Sequence, residues 1–192
     1  MILFKYHALR KEMLGRRGLT IIELVVVMCI LGAMALIAVP NVGRWLPRYR
    51  LRSAARDVAS NIQLTRLGAI KDNREWAILF DTGGQSYRVI SNKGADGNWG
   101  TPDDTEEKIV NLSDYPSVRF GSSGHPPIPD GGAVGDGVTF VGKRAEFNPG
   151  GTSTAGTIYL QNNRDNAMAV SVDSSTGIVR MWRWDSSLWR RW

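Results

Sequence analysis

A single acid in an apolar stretch is the first feature of this 192-residue chain that could do chemistry. Between Leu19 and Val39, only Thr20 and Glu23 are conventionally polar. If this stretch enters a membrane, a carboxylate there is costly, and such residues usually have a function and a partner. Glu23 is therefore a candidate functional residue.

The end of the chain combines arginines with tryptophans. Residues 180–192 contain Arg180, Arg183, Arg190 and Arg191 against Asp185, with Trp182, Trp184, Trp189 and Trp192 between them. Arginine binds phosphate through two parallel hydrogen bonds and aromatic rings stack on bases, so this composition suits single-stranded nucleic acid. Trp and Arg are also frequent in protein interfaces, and the rings could simply pack in a last strand. Of the three interpretations, docking to a protein is favoured over DNA binding and packing.

A third candidate is the acidic loop at residues 93–107. Its oxygen ligands are Asp96, Asn98, Asp103 and Asp104, followed by Glu106 and Glu107. Carboxylate and amide oxygens are the ligands that calcium prefers. However, their spacing differs from that of an EF-hand loop, so a solvated acidic turn is favoured over a calcium site.

The inventory of reactive side chains predicts that the protein is not an enzyme. The only histidines are His7 and His125, and the only cysteine, Cys29, lies in the apolar stretch. A catalytic triad or a histidine-rich zinc site would lack members. The lone cysteine also excludes an internal disulfide.

The positive charge is concentrated at the beginning of the chain. Residues 1–18 hold five basic residues and one acid, a net charge of +4 out of the total of +6. A basic segment before a mostly apolar stretch of 21 residues fits a transmembrane helix, which spans about 30 Å. A cleaved signal peptide is a second interpretation, because Ala33-Met34-Ala35 offers a cleavage site. Glu23 tells against both.

Periodicity predicts one long helix followed by strands. After the apolar stretch, the residues Leu51, Ala55, Val58, Ile62, Leu67 and Ile70 form a helical stripe that should pack under a globular head. Pro40 and Pro47 predict a kink or local melting. Five arginines (Arg44, Arg48, Arg50, Arg52 and Arg56) form a basic collar, expected to face lipid headgroups or water.

Nine short segments after Glu75 predict strands, and they include "EWAILFD", "GVTFVG" and "GIVRMWRW". The predicted fold class is α+β, with the C-terminal half of the long helix packed against an antiparallel sheet. The predicted segments are a leader at 1–18, an apolar helix at 19–39, an amphipathic continuation at 40–71 and a β-rich head at 72–192.

The segment Arg16-Arg17-Gly18, followed by Leu19-Thr20-Ile21-Ile22-Glu23, resembles the class III signal of type IV prepilins and type II secretion pseudopilins. Farther on, "FNPGGTSTAGTIYL" and "AMAVSVDSSTGIVRMWRW" are similar to the end of GspH/FimT-type minor pseudopilins. Residues 16–71 and 138–184 carry the resemblance. Leu19 departs from the phenylalanine that is common at its position.

The resemblance implies a pilin-like fold and a subunit of a type II secretion pseudopilus or type IV pilus, near the filament tip. It implies cleavage between Gly18 and Leu19 by an inner-membrane prepilin peptidase, with N-methylation of Leu19. Glu23 would then pair with the amine of Leu19 in a neighbouring subunit. The implied location is the bacterial inner membrane, in a single pass with a periplasmic head, and later a periplasmic or surface filament.

The family also suggests an alternative function in DNA uptake. Its DNA-binding members carry a Gly-Arg-x-Arg motif near the C-terminus, and here only Gly177 and Arg180 match it, because Ile178 replaces the first arginine. The neighbouring arginines and tryptophans, including Trp189 and Trp192, could supply the missing contacts.

Overall fold

The computed structural model describes residues 18–129 and 131–192, without the side chains of residues 37–42 and 44. The predicted leader, up to residue 17, lies outside the described residues. The chain divides into two compact units, Met1–Asn41 and Val42–Trp192. Among the described residues, no helix is both long enough and apolar enough to cross a membrane.

One helix, α1 (Ile21–Asp72), continues without a break through Pro40 and Pro47. Of the predicted kink or local melting at the two prolines, the melting is therefore wrong, and the kink stays a prediction. Within the second unit, the head holds the helix at the second proline. Asn162 Nδ2 donates to the Pro47 carbonyl at 3.2 Å, and Arg48 Nε donates to Asn166 Oδ1 at 3.2 Å. These contacts attach the helix to the head at Pro47, where the missing N–H leaves α1 without one backbone hydrogen bond.

The buried face of α1 follows the predicted stripe only in its first part. It consists of Leu51, Ala54, Ala55, Val58, Ala59, Asn61, Ile62, Thr65 and Ala69. The prediction is wrong for Leu67 and Ile70, whose exposed fractions are 61% and 43%. At 3.6 residues per turn, Leu67 lies about 140° around the helix from Ile62. The position toward the core is instead filled by Thr65, whose hydroxyl donates to the Asn61 carbonyl at 2.7 Å.

In the described part of the chain, nine strands follow the helix and form two antiparallel sheets. They are β1 (Trp76–Asp81), β2 (Ser86–Asn92), β3 (Thr105–Asn111), β4 (Val118–Phe120), β5 (Arg144–Phe147), β6 (Gly156–Asn162), β7 (Ala167–Val172), β8 (Val179–Asp185) and β9 (Leu188–Arg191). Sheet 1 has the order β3-β2-β1-β5, and sheet 2 has the order β4-β6-β7-β8-β9. A long helix packed on antiparallel sheets confirms the predicted α+β class.

One predicted strand is absent and one unpredicted strand is present. In "GVTFVG", only Val138 forms a bridge, to Ile158, and the chain then turns through a 3-10 helix, Val141–Lys143. Gly142 and Lys143 both have positive φ there, which is incompatible with a strand. The unpredicted strand is β9, which pairs with β8 along the end of sheet 2.

Sheet 2 is covered by apolar residues on both faces. On one face, its side chains join α1 and sheet 1 in the main core, which includes Ile62, Ile158 and Val170. On the other face, a smaller cluster contains Ile128, Tyr159, Ala167, Ala169 and Trp189. The sequence of β7, "AMAVSV", accordingly lacks polar–apolar alternation and is buried at five of its six positions.

Candidate functional site

The start of α1 is a reciprocal capping box. Glu23 N donates to Thr20 Oγ1 at 3.2 Å, while Glu23 Oε2 accepts from Thr20 N and Thr20 Oγ1, both at 3.0 Å. This pattern satisfies backbone donors that the first turn of a helix leaves unpaired. The carboxylate therefore has a partner within its own chain. The sequence signal, Thr-x-x-Glu before an apolar run, was available but was not used in the sequence analysis.

The predicted cleavage site lies immediately before this cap. Gly18 and Leu19 are exposed and precede the first helical residue, Ile21. A methyl group added at Gly18 would have no atom within 4 Å. The cleavage and the N-methylation stay predictions.

The C-terminal arginines lie on two opposite faces of the β8–β9 hairpin. Trp182 pairs with Arg191, and Arg183 pairs with Arg190. Because successive residues of a strand point to opposite faces, Arg180 and Arg191 share the face of Trp182. Arg183 and Arg190 lie on the face turned toward α1. The four predicted arginines therefore do not form a single array.

The tryptophans are mainly packing residues of the smaller cluster. Trp189, with an exposed fraction of 8%, contacts Tyr159 and Trp184 edge-on, at centroid distances of 5.8 and 5.5 Å. Its indole nitrogen donates to the Pro126 carbonyl at 2.6 Å. Trp184 stacks on His125 at 4.4 Å. Of the three interpretations of these rings, packing describes Trp184 and Trp189 best.

The arginines differ in their partners. Arg180 pairs with Asp173 at 3.5 Å, and Arg190 pairs with Asp185 at 2.7 Å. In the part of the chain that the structure describes, Arg183 and Arg191 form no ion pair. These two side chains are the ones left for an anionic ligand.

Trp192 lies over the helix face of the hairpin. Its ring contacts the guanidinium groups of Arg56 and Arg52, at 4.6 and 5.7 Å from the ring centroid. Its exposed fraction is 43%. Cation–π contact between these residues links the hairpin to α1.

Gly177 has a structural reason to be glycine. Its φ is +62°, and an added Cβ would lie 2.3 Å from the Gly151 carbonyl oxygen. The backbone amide of Gly177 also donates to the Asp173 carbonyl at 2.8 Å, closing the turn before β8. The match of Gly177 to the DNA-uptake motif is therefore explained by the turn.

The carboxylates of the acidic loop bind the loop's own donors. Asp103 Oδ2 accepts from Ala95 N at 2.7 Å, and Asp104 Oδ2 accepts from Gly100 N at 2.6 Å. A hydrogen bond from the Thr101 hydroxyl, followed by those from backbone amides, lowers the pKa of Asp103. Within the described residues, no three Asp, Glu, His or Cys side chains are grouped as a metal site would require. Calcium binding by Asp96, Asn98, Asp103 and Asp104 stays a prediction.

Comparison with protein families gives one match. The profile of the family described as Type II transport protein GspH matches residues 54–176, more than half of the chain. The chain belongs to the GspH family. The match includes residues 72–137, which carry none of the resemblance visible in the sequence motifs. Gly18, Leu19 and Glu23, together with β8 and β9, lie outside the matched residues.

Two solved structures are similar to the chain. One is the minor pseudopilin EpsH from the Type 2 Secretion System of Vibrio cholerae, with 14% identity, a TM-score of 0.46, and coverage of 69% of this chain and 95% of that chain. The other is the type IV minor pilin FimU of Pseudomonas aeruginosa, with 17% identity, a TM-score of 0.47, and coverage of 69% and 87%. No curated protein matches the chain.

Proposed function

We propose that this GspH-family chain is a minor pseudopilin or pilin that acts by assembly into a filament and not by catalysis. A prepilin peptidase cleaves it between Gly18 and Leu19, and Leu19 is N-methylated. Residues 19–39 hold it in the bacterial inner membrane with a periplasmic head, until it joins a periplasmic or surface filament at or near the tip. The family match over residues 54–176, together with the helix that begins beside Glu23, carries this proposal.

In this proposal Glu23 has two roles. Its Oε2 atom caps the helix through Thr20, and within the described residues Oε1 makes no hydrogen bond. Cleavage would create a positively charged amine at Leu19 on each subunit. In apolar surroundings, where charges interact more strongly than in water, Oε1 can accept from the amine of a neighbouring subunit. The pairing favours assembly and sets the axial position of the subunit.

Three variants separate the two roles. Glu23→Gln keeps a capping side chain but removes the charge, Glu23→Ala removes both, and Thr20→Ala removes the cap but keeps the charge. All three should be cleaved normally. We expect weak incorporation into filaments for both Glu23 variants and near-normal incorporation for Thr20→Ala, measured by immunoblots of sheared or purified filaments. Normal incorporation of Glu23→Gln would exclude charge pairing.

Two filament systems use the same signal, and a deletion strain distinguishes them. Surface pili, DNA uptake and the amounts of exported enzymes in the medium are measured in parallel. Loss of pili with normal secretion assigns the protein to a type IV pilus. Loss of secretion with normal pili assigns it to a type II secretion pseudopilus.

DNA capture for natural transformation is the alternative function. The observation that favours it is that Arg183 and Arg191 form no ion pair among the described residues. If it holds, Arg183→Gln/Arg191→Gln should lower the transformation frequency and weaken a gel shift with single-stranded DNA. Arg119→Gln, which removes an exposed charge from β4, is the control. An unchanged gel shift with the double variant would exclude this alternative.

A further inference from the structure

One face of α1 presents two aromatic rings beside three arginines. Trp45, Arg48, Tyr49, Arg52 and Arg56 are spaced three or four residues apart, which places them along one side of the helix. Trp45 and Tyr49 stack on each other, with a centroid distance of 5.0 Å, although their exposed fractions are 60% and 52%. Large rings held together in an exposed position mark an interaction surface.

A cavity of about 540 Å³ adjoins this face, within the second unit. Arg48 and Arg52 line it from α1, Arg164 from the turn between β6 and β7, and Arg183 from β8. The long sequence separation of these arginines means that the fold, and not a charged run in the sequence, brings them together.

The two acids in the cavity, Asp165 and Asp185, form no ion pair with its four arginines. Asp185 pairs with Arg190 at 2.7 Å, and Asp165 lies 3.4 Å from His125. Within residues 18–129 and 131–192, none of the four cavity arginines forms an ion pair. The lining therefore carries four arginines against two aspartates, and apart from Arg48 Nε, which donates to Asn166 Oδ1, it offers guanidinium donors to an anion.

We propose that this surface, consisting of the Trp45–Tyr49 pair and the four cavity arginines, binds the headgroup of an anionic phospholipid. Arginine forks match the geometry of a phosphate, and Trp and Tyr rings prefer the boundary between lipid and water. In the sequence, Trp45 follows the end of the apolar stretch at Val39 by six residues. The inference rests on the proposed insertion of residues 19–39 in the membrane.

A second copy of this chain is a poorer occupant, because two surfaces of this kind would bring arginines against arginines. An anionic headgroup supplies the complementary charge, and its glycerol and upper acyl region can contact the two rings. The proposed site thus binds lipid on one side of α1, in addition to the general attraction between anionic lipids and the basic segment after the apolar stretch.

Two experiments on the full-length chain separate this inference from the proposed function. Flotation with vesicles of phosphatidylcholine alone tests membrane anchoring. The chain in non-ionic detergent is then titrated with short-chain phosphatidylglycerol, with phosphatidylcholine of the same chain length, and with inorganic phosphate, while tryptophan fluorescence is recorded. Failure of flotation refutes the anchoring. Flotation with equal binding of the two lipids refutes only the headgroup site.

We expect the chain to bind phosphatidylglycerol more tightly than phosphatidylcholine. Arg48→Gln/Arg52→Gln should lower the affinity for phosphatidylglycerol about 30-fold, since each basic residue near an anionic membrane contributes roughly a factor of five. Arg164→Gln should lower this affinity about fivefold. Because Arg164 is an exposed side chain in a turn, its replacement does not disturb α1. The control Lys71→Gln/Arg119→Gln removes the same charge from exposed side chains outside the basic collar and should bind normally. Equal losses in the control would refute the site, and binding of inorganic phosphate as tight as that of the lipid would refute the assignment to a headgroup.

Discussion

The buried hydroxyl of Tyr87 gives a sharp test of how the helix is held against sheet 1. It donates to Asp57 Oδ2 at 2.8 Å and accepts from Asn61 Nδ2 at 2.7 Å. Both partners lie on α1, whereas Tyr87 lies on β2. From β3, Lys108 Nζ donates to Asn61 Oδ1 at 3.0 Å. The network therefore connects the helix to two strands.

Tyr87→Phe should lower the free energy of unfolding by about 1.5–3 kcal/mol, the contribution of a hydrogen bond to a charged group. The cost stays in this range because Asn61 and Asp57 remain hydrogen-bonded to each other, at 3.1 Å. Urea unfolding of the full chain in non-ionic detergent, followed by tryptophan fluorescence, measures it. Tyr49→Phe, which changes an exposed tyrosine, is the control and should leave the midpoint unchanged.

The dependence on pH makes the test more specific. Burial, followed by the hydrogen bond to Asp57, raises the pKa of Tyr87 above its ordinary value. The resulting stability is fully present below the pKa of an unfolded tyrosine, about 10. Above that pH, the wild type should lose about 1.4 kcal/mol per pH unit through this group, and Tyr87→Phe should not.

The difference in stability between the two proteins should therefore shrink as the pH rises above about 10. Burial also raises the pKa values of Tyr115 and Tyr159, but these residues are present in both proteins and cancel in the difference. A difference that stays constant across this pH range would refute the reasoning.

Two further predictions concern a close contact and an acidic turn. Gly68→Ala should destabilise the protein by about 1–3 kcal/mol in the same urea assay, because its Cβ would lie 2.8 Å from the ring of Trp76. Asp173, whose pKa is lowered to about 2 chiefly by the hydroxyl of Ser175, stabilises the fold above the pKa of an unfolded aspartate and loses this effect as the pH falls toward 2. Asp173→Asn should therefore show a weaker loss of stability in acid than the wild type does.

Each of these predictions has a control. Gly43→Ala places a methyl group where no atom lies within 4 Å, and alanine favours a helix, so it should not destabilise. Equal effects of the two glycine variants would show that the Trp76 contact is unimportant. Asp114→Asn, which changes an acid at the end of the 3-10 helix Leu112–Asp114, controls for the general loss of negative charge. Parallel acid curves for Asp173→Asn and the wild type would contradict the assignment.

The sequence predicted most of the fold because its patterns are local. The stripe from Leu51 to Ile62 and eight of the nine predicted strands are observed. The prediction is wrong at Leu67 and Ile70. Both residues are apolar, but the 3.6-residue period of the helix places Thr65 and Ala69, and not these two, toward the core. The strand β9 was not predicted, because "LWRRW" contains no β-branched residue and reads as a binding motif.

The candidate sites were less predictable because they depend on which faces meet. The alternation of side chains along a strand places Arg183 and Trp182 on opposite faces of the sheet. It does not show which face is covered, and in this structure both faces of sheet 2 are covered. The cavity of Arg48, Arg164 and Arg183 joins residues from three segments, so only the topology brings them together. The cap formed by Thr20 and Glu23 is the exception, since it is local and could be read from the sequence.

The contacts of Trp189 and Trp184 have a consequence for local unfolding. Trp189 donates to the Pro126 carbonyl, and Trp184 stacks on His125, so the β8–β9 hairpin holds part of the loop between β4 and β5. If the whole β8–β9 hairpin detaches from β7, this part of the loop loses both anchors, and Tyr159 on the covered face becomes accessible to water. We therefore expect the hairpin and this part of the loop to open as one cooperative unit, at a lower free energy than the core that α1 shares with the two sheets.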